Sequence, residues 1–148
     1  MELTGAAIVQ VPPLLNSQTI CDLRSTLDRA LSDRDCCAVA LVGEERCFCR
    51  GLDLAALASE SDLQEAVENF VACLEAIRTG HETVIGLVRG EAVAGGVGLA
   101  AACDGVLATK EATFTLTELL FGLTPAVILP YLAQRVGAQK LRWMGLMA

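Results

Sequence analysis

The sequence predicts an α/β fold with parallel strands covered by helices, and three observations lead to this prediction. The chain has 148 residues, enough for one domain with a substantial core. Its residues are 53% hydrophobic but only 4% aromatic, so the core consists mainly of Ala, Val and Leu, as in parallel sheets. Short apolar runs alternate with segments of helical periodicity. We therefore expect a single domain over residues 1–148.

The first strand and the first helix are predicted near the N-terminus. Residues Ala6–Val11 form an apolar run that ends at Pro12-Pro13, which a strand interior does not tolerate. Asn16 and Ser17 are residue types that cap helices, because their side chains accept a hydrogen bond from the first turn. Four apolar residues then recur at helical spacing: Ile20, Leu23, Leu27 and Leu31.

A second strand and a long helix follow. The continuous apolar run Cys36–Val42 predicts a strand that is buried on both faces. After a turn at Arg50-Gly51, we place Asp53 in the first turn of a helix, where a carboxylate stabilises the helix dipole; catalysis is the alternative role. The segment Asp62–Arg78 predicts an amphipathic helix that Gly80 terminates. Its inward side carries Leu63, Val67, Phe70, Val71, Leu74 and Ile77.

The segment VIGLVRGEAVAGGVGLAAACD, residues 84–104, organises the rest of the chain. It reads as a buried strand, a break at Arg89-Gly90-Glu91, and a glycine-rich helix start with Gly95, Gly96 and Gly98. The Walker and dinucleotide glycine motifs are absent. Two interpretations remain: close packing of small residues, which composition favours, or free helix N–H groups that form an oxyanion hole and polarise a carbonyl.

The last third predicts two further strands, over Gly105–Thr109 and Ala112–Leu116, and helices around Tyr131–Val136 and Gln139–Met147. Between them, Glu118 stands in the apolar setting LTELLFGL. A carboxyl group enclosed by such neighbours resists ionisation, which suits a general acid or base. A half-exposed helix residue is the alternative.

Charge and cysteine content exclude several classes of function. The net charge of −7 argues against nucleic acid and anionic membranes as partners. The seven cysteines contain no CxxC pair, and His81, the single histidine, is expected in a loop, so we expect neither a metal site nor disulfides. Cys103 is expected to be a buried small residue rather than a nucleophile. The N-terminus lacks the features of a secretion signal, and no apolar stretch reaches membrane-spanning length, so we expect a soluble, cytoplasmic protein.

Three stretches together resemble the enoyl-CoA hydratase/isomerase superfamily, the crotonases: FCRGLDL (residues 48–54), residues 84–104, and ATFTLTELLFGLTP (residues 112–125). The resemblance implies the ββα spiral fold of that family. Within it, residues 115–147 look most like the dehydratases of polyketide β-branching. Those enzymes remove water from a 3-hydroxy-3-methylglutaryl group on an acyl carrier protein and give the 3-methylglutaconyl thioester. The alternatives are a general enoyl-CoA hydratase/isomerase and a non-catalytic crotonase-like remnant.

The resemblance also implies roles for single residues. The two oxyanion N–H groups of the family fall on Leu52 and Gly95. Its two hydratase glutamates fall on Gly98 and Glu118, so one carboxylate is missing and Glu118 is the expected acid/base. Arg50 and Arg89, beside the oxyanion loops, are candidates to bind the distal carboxylate of the substrate.

The resemblance also has implications for the cofactor, the partners and the length of the chain. No cofactor is expected beyond the phosphopantetheine or CoA that carries the substrate. An acyl carrier protein is the expected partner, and it is expected to dock on local positive charge such as Lys140 and Arg142. The family continues past Ala148 with helices that cover the sheet and build a homotrimer, or a hexamer. We therefore expect a shortened chain whose C-terminal helical part is missing and whose sheet is partly uncovered.

Overall fold

The computed structural model describes residues 5–56, 59–118 and 125–146. No helix in these ranges is both long enough and apolar enough to cross a membrane. In chain order the elements are β1 (Ala6–Gln10), α1 (Ser17–Ser32), β2 (Ala38–Val42), β3 (Cys47–Cys49), α2 (Glu60–Thr79), β4 (Thr83–Val88), β5 (Glu91–Val93), α3 (Gly95–Ala102), β6 (Gly105–Ala108), β7 (Thr113–Thr115), α4 (Leu129–Arg135) and α5 (Ala138–Leu146).

The strands form two parallel sheets, one of four strands in the order β1-β2-β4-β6 and one of three in the order β3-β5-β7. Along the chain, a strand of the larger sheet is followed by a strand of the smaller sheet and then by a helix, as in β2-β3-α2 and β4-β5-α3. Parallel pairing requires such long crossovers, because adjacent parallel strands cannot be joined by a tight turn. The predicted α/β class and its ββα spiral are confirmed.

Helix α1 begins where the sequence predicts. The Asn16 side chain accepts from the Thr19 amide at 2.9 Å, and the Thr19 hydroxyl accepts from the Asn16 amide at 2.8 Å, which is a complete capping box. Ile20, Leu23 and Leu27 are buried from this helix against the sheet and α2. Each such side chain stabilises the fold by about 2 kcal/mol through its removal from water.

Two predictions in the first half need correction. No strand was predicted before the turn at Arg50-Gly51, but Cys47–Cys49 form strand β3 of the second sheet, because they pair with a strand that lies more than forty residues later. Strand β2 was expected to be buried on both faces, but only Val39 and Leu41 are buried, and the alternating residues are half-buried. A continuous apolar run does not reveal how completely each face of its strand is covered.

The four-stranded sheet has one partly uncovered face, as expected. Ile8 and Leu107 are 67% and 65% exposed. The strand register places both on the same face, with Ala40, Ile85 and Leu87 between them. The opposite face carries the buried core beneath α1 and α2.

Candidate active site

A cavity of about 500 Å³ brings together most of the site residues that were predicted from the sequence. Its walls come from the loop after β3, the inner side of α2, the start of α3, the residues at Thr117 and Glu118, and the segment Pro125–Ile128. Its apolar lining includes Leu14, Leu63, Val67, Phe70, Val127 and Ile128, and its polar lining includes Arg50, Asp53, Thr117 and Glu118. The arrangement suits an apolar acyl chain with a few polar groups that fix its orientation.

The first predicted oxyanion residue, Leu52, follows a turn that only glycine makes easily. Gly51 has φ +82°, and its amide donates to the Cys49 sulfur at 3.4 Å. Leu15 then holds the loop from both sides, since its amide donates to the Gly51 carbonyl at 2.9 Å and its carbonyl accepts from the Asp53 amide at 2.8 Å. The Leu52 amide has no acceptor among the described residues. Leu52 itself lines the cavity.

The second predicted oxyanion residue, Gly95, is the first residue of α3. Ala94, which precedes it, has φ 49° and ψ −116°, a conformation that residues with a side chain rarely adopt. The Ala94 amide donates to the Thr115 carbonyl at 2.9 Å, and its carbonyl accepts from Val97 at 2.9 Å and Gly98 at 3.2 Å. The Gly95 amide is thereby left without an acceptor in the described part of the chain. Strain of about 1–3 kcal/mol at such a residue is typical of functional loops.

The two loops touch each other at these glycines. A Cβ atom added at Gly51 would lie 2.7 Å from the Gly95 nitrogen, and one added at Gly95 would lie 3.2 Å from the Gly51 Cα atom. The ring of Phe70 closes the other side, also 3.2 Å from the added Cβ at Gly95. Each of the two touching loops thus carries an amide without an acceptor among the described residues, and two such donors can together stabilise an oxyanion if they reach the same oxygen.

Glu118 contributes the carboxyl group of the cavity. It is half-buried, and its Oε2 atom is buried without a hydrogen-bond partner among the described residues. Burial raises the pKa of this carboxyl group above its usual range, and the nearby amides of Glu118 and Thr117 oppose the shift only in part. The carboxyl group is therefore partly enclosed, as one interpretation of the sequence predicted. The residue also keeps some contact with solvent, as the other interpretation predicted.

Gly98 stands where the resemblance puts the missing carboxylate. A Cβ atom there would lie only 2.3 Å from the Ile128 Cγ2 atom and 3.7 Å from the Phe70 ring. Ile128 is 2% exposed and lines the cavity. The space beside Gly98 is thus filled by an apolar side chain from another segment.

The structure separates the two candidate arginines. Arg50 lines the cavity, and its Nε and Nη2 atoms donate to the two carboxylate oxygens of Glu91 at 3.2 Å each. Arg89 lies outside the lining of this cavity; its Nη2 donates to the Gly43 carbonyl at 3.2 Å, and it lines a separate groove with Glu45.

The structure also shows the positions of three other polar or reactive residues that were considered as functional candidates. Asp53 does not start a helix; the described residues after it form a turn, in which its side chain accepts from the Ala55 amide at 3.2 Å. Cys103 is 1% exposed, and burial raises its pKa to about 12, so it is a buried packing residue as predicted. His81 is exposed after α2, also as predicted.

Much of the apolar lining of the cavity was not predicted from the sequence. Leu63 and Val67 were expected in the core, but Leu63 is 37% exposed and both residues line the cavity. Helical periodicity reports that a side is apolar and does not distinguish a core from a ligand cavity. No pattern in the sequence indicated that Ile128 would reach Gly98.

Comparisons with known proteins agree with this architecture. The family model described as enoyl-CoA hydratase/isomerase matches residues 13–148. The chain belongs to this family. The bacillaene synthase dehydratase PksH of Bacillus subtilis is 39% identical over 116 residues, which cover 74% of this chain and 44% of that protein. A putative enoyl-CoA hydratase of Thermus thermophilus is 35% identical over 83% of this chain and 51% of its own length.

The solved structures give the same fold. A putative enoyl-CoA hydratase/isomerase of Legionella pneumophila superposes with a TM-score of 0.87 at 26% identity, over 96% of this chain and 59% of that one. This enoyl-CoA hydratase/isomerase chain therefore spans about half the length of the relatives that it matches.

Proposed function

We propose that the protein is a hydro-lyase that removes water from a 3-hydroxyacyl thioester. The amides of Leu52 and Gly95 bind the thioester oxygen, and Glu118 moves the proton. The observation that carries the proposal is a single cavity lined by two touching loops and by the Glu118 carboxyl group, in which the Leu52 and Gly95 amides and the Glu118 Oε2 atom have no hydrogen-bond partner within residues 5–56, 59–118 and 125–146. Sequence similarity to a protein named as a dehydratase supports removal, rather than addition, of water.

The proposed elimination uses one carboxyl group twice. Ionised Glu118 takes the proton from the carbon next to the thioester, and the electron pair moves onto the thioester oxygen, where the two amides stabilise the negative charge. The enolate then forms the carbon–carbon double bond and expels the β-hydroxyl group, which leaves as water with the proton from Glu118. Glu118 is again ionised at the end. Protein groups perform every step, so the mechanism requires no cofactor beyond the phosphopantetheine or CoA that carries the acyl group.

The finer proposal is that the substrate is a 3-hydroxy-3-methylglutaryl group on an acyl carrier protein, converted to the 3-methylglutaconyl thioester. The likeness to the bacillaene synthase dehydratase supports it. Gly98, which offers no second carboxylate, is consistent with elimination by Glu118 alone. Arg50 at the cavity would meet the distal carboxylate with the N–H groups that Glu91 does not use.

The proposed partner is the acyl carrier protein. Because the chain carries a net charge of −7 and carrier proteins are expected to be acidic, docking requires local positive charge. Lys140 and Arg142 of α5 are exposed and supply it. A homotrimer, or a hexamer, is the proposed assembly of the whole protein.

The decisive experiment is the Glu118→Gln substitution, because the amide keeps the shape of the carboxyl group but cannot accept the proton. We expect kcat for dehydration to fall by about 100-fold or more. Loss of water from the carrier-bound acyl group is followed by mass spectrometry. The control is binding of an unreactive acyl-pantetheine, which should persist, and near-native turnover by the Gln variant would refute the role of Glu118.

The role of Arg50 is tested with two substrates, one with a distal carboxylate and one with a neutral end. We expect Arg50→Glu to reduce kcat/KM for the acidic acyl group only, because only that group requires the guanidinium. Arg89→Glu, outside the cavity lining, is the matched charge reversal and should affect neither substrate. A loss that is equal for both substrates in Arg50→Glu would exclude the proposed contact.

A general enoyl-CoA hydratase/isomerase is the second candidate, supported by the Thermus thermophilus relative. Parallel assays with carrier-bound and CoA-bound substrates separate the two candidates. Higher kcat/KM with CoA would favour the second. A chain that binds neither thioester and turns over neither would indicate a non-catalytic module.

A further inference from the structure

Ile128 occupies the inner end of the candidate active site. It precedes α4, its amide donates to the Pro125 carbonyl at 3.1 Å, and its side chain is 2% exposed. Phe70, on α2, is also 2% exposed and lines the same cavity. The side chain of Arg50, by contrast, is 55% exposed. The cavity therefore runs from an exposed rim at Arg50 to an apolar end at Ile128 and Phe70.

Gly98 makes room for Ile128. An added Cβ atom at Gly98 would lie 2.3 Å from the Cγ2 atom and 3.1 Å from the Cβ atom of Ile128. The first distance is far below van der Waals contact and the second is tight, so a side chain at position 98 and the Ile128 Cγ2 methyl group cannot occupy this space together. Position 98 also lies one helical turn after Gly95 and therefore on the same side of α3. The boundary of the cavity one turn beyond the Gly95 amide is set by Ile128 and not by α3.

The orientation of a bound thioester follows from these positions. With its carbonyl oxygen at the Leu52 and Gly95 amides, the pantetheine leaves by the exposed rim. The branch of the β-carbon that ends in the distal carboxylate then turns back to Arg50 at the rim, and the other branch enters the apolar end, where Glu118 and Ile128 line the walls. The substituent on the β-carbon of the acyl group is the part that meets Ile128.

We propose that Ile128 is a specificity-determining residue that limits the size of the substituent on the β-carbon of the acyl group. This inference rests on the proposed function, because it assumes a thioester bound at the two loop amides. Removal of the Ile128 side chain beyond Cβ opens a space that glycine at position 98 cannot fill. That space extends the cavity where a larger substituent would otherwise collide.

The test measures binding, so that it does not depend on turnover. The ligands are 3-methylbutanoyl-pantetheine and 3-ethylpentanoyl-pantetheine, which lack the hydroxyl group and cannot be dehydrated, and Kd is measured by calorimetry on the full chain. We expect the wild type to prefer the methyl ligand, and Ile128→Ala to shift the ratio of the two Kd values toward the ethyl ligand by about 10-fold or more. Ile128→Val should shift the ratio in the same direction by less, and it serves if the alanine variant does not fold.

A double variant supplies the matched control. Gly98→Ala added to Ile128→Ala refills part of the same space from the side of α3, so the ratio should return toward that of the wild type. Val127→Ala removes a side chain from the same cavity without opening space beside Gly98. We therefore expect it to shift the ratio of the two Kd values by less than half as much as Ile128→Ala does.

The outcomes distinguish this inference from the proposed function. A ratio in Ile128→Ala within about twofold of the wild type, or no return in the double variant, overturns the inference. Absence of binding by the wild type overturns it as well. A size preference that depends on Ile128, in a protein that dehydrates no 3-hydroxyacyl thioester, upholds the inference and rejects the proposed function.

Discussion

At the scale of single residues, the candidate site depends on three glycines that are needed for different reasons. Gly51 adopts φ +82°, which permits the turn before Leu52. Gly95 leaves space between Gly51 and the Phe70 ring, and Gly98 leaves space for Ile128. Ala94, by contrast, adopts a positive φ of 49° although it has a side chain. The geometry of the two loop amides therefore follows from where side chains are absent.

Gly51→Ala tests the contact between the two loops. The methyl group would lie 2.7 Å from the Gly95 nitrogen, at a backbone φ that alanine adopts only with strain. We expect kcat/KM for dehydration to fall by about 100-fold, the usual cost of an oxyanion donor that is displaced. Gly137→Ala is the control, because an added Cβ there meets no atom within 4 Å. Full activity in Gly51→Ala would exclude the proposed oxyanion hole.

Glu118 makes stability depend on pH in a direction that its burial determines. Because burial raises its pKa in the folded protein, the folded state binds this proton more tightly than the unfolded state. The stabilisation from the bound proton is fully present below the unfolded pKa and is lost as pH rises through the folded pKa. Glu118→Gln removes this dependence, so its unfolding free energy relative to the wild type should rise from pH 4 to pH 7, values that bracket ordinary carboxyl titration at about 4.3.

Chemical denaturation at a series of pH values measures this difference. Glu111→Gln, at an exposed position, is the matched substitution for comparison. A difference for Glu118→Gln that falls with rising pH would contradict the enclosed position of the carboxyl group. The same direction applies to activity, since a base with a raised pKa gains its ionised form at higher pH than an ordinary glutamate.

At the scale of elements, α3 is the centre of the site. All eight of its residues, from Gly95 to Ala102, are buried, and it contacts β3, β4 and β5. A helix that is apolar on every side is suited to a fully buried position. Its small residues bring its backbone close to β3, so the first turn of the helix lies directly beside the loop that carries Leu52.

Gly96→Ala tests this close approach. An added Cβ atom would lie 2.0 Å from the Cys49 carbonyl oxygen and 2.7 Å from its carbonyl carbon, and backbone atoms cannot move aside as the end of a flexible side chain can. We expect the free energy of unfolding to fall by at least about 3 kcal/mol. Gly105→Ala, in the neighbouring strand β6 with no atom within 4 Å of the added Cβ, should stay within about 1 kcal/mol of the wild type. Denaturant titration of both variants checks the contrast, and equal stability of the two would contradict the packing.

At the scale of the whole molecule, the cysteines report on the fold, because they are distributed over its layers. All seven are free thiols, and only Cys21 and Cys37 are exposed. Burial raises the pKa of Cys73 to about 11 and the pKa values of Cys49 and Cys103 to about 12. Buried thiols with raised pKa values are inert toward alkylating reagents.

Alkylation of the native protein at neutral pH should therefore modify Cys21 and Cys37 and leave Cys49, Cys73 and Cys103 unmodified. Peptide mass spectrometry identifies the labelled positions. In denaturant all of the thiols should react, which is the control for reagent and detection. Rapid native labelling of Cys49 or Cys103 would show that α3 and β3 do not pack as described.

Some features could be predicted from the sequence alone because they depend on local chemistry. The cap of α1, the end of α2 at Gly80, the glycine-rich start of α3 and the burial of Cys103 follow from short-range patterns. The setting of Glu118 among apolar residues was also visible.

Other features were decided only by the tertiary structure, because they depend on residues far apart in the chain. Local chemistry cannot show that Cys47–Cys49 pairs with β5, that Ile128 fills the space beside Gly98, or that Arg50 and Arg89 face different grooves. Strand pairing and side-chain packing between segments far apart in the chain determine these positions. Local patterns in the sequence account for most of the helices and strands and for the residue types available for chemistry, whereas the packing of the two sheets around α3 determines which of those residues meet.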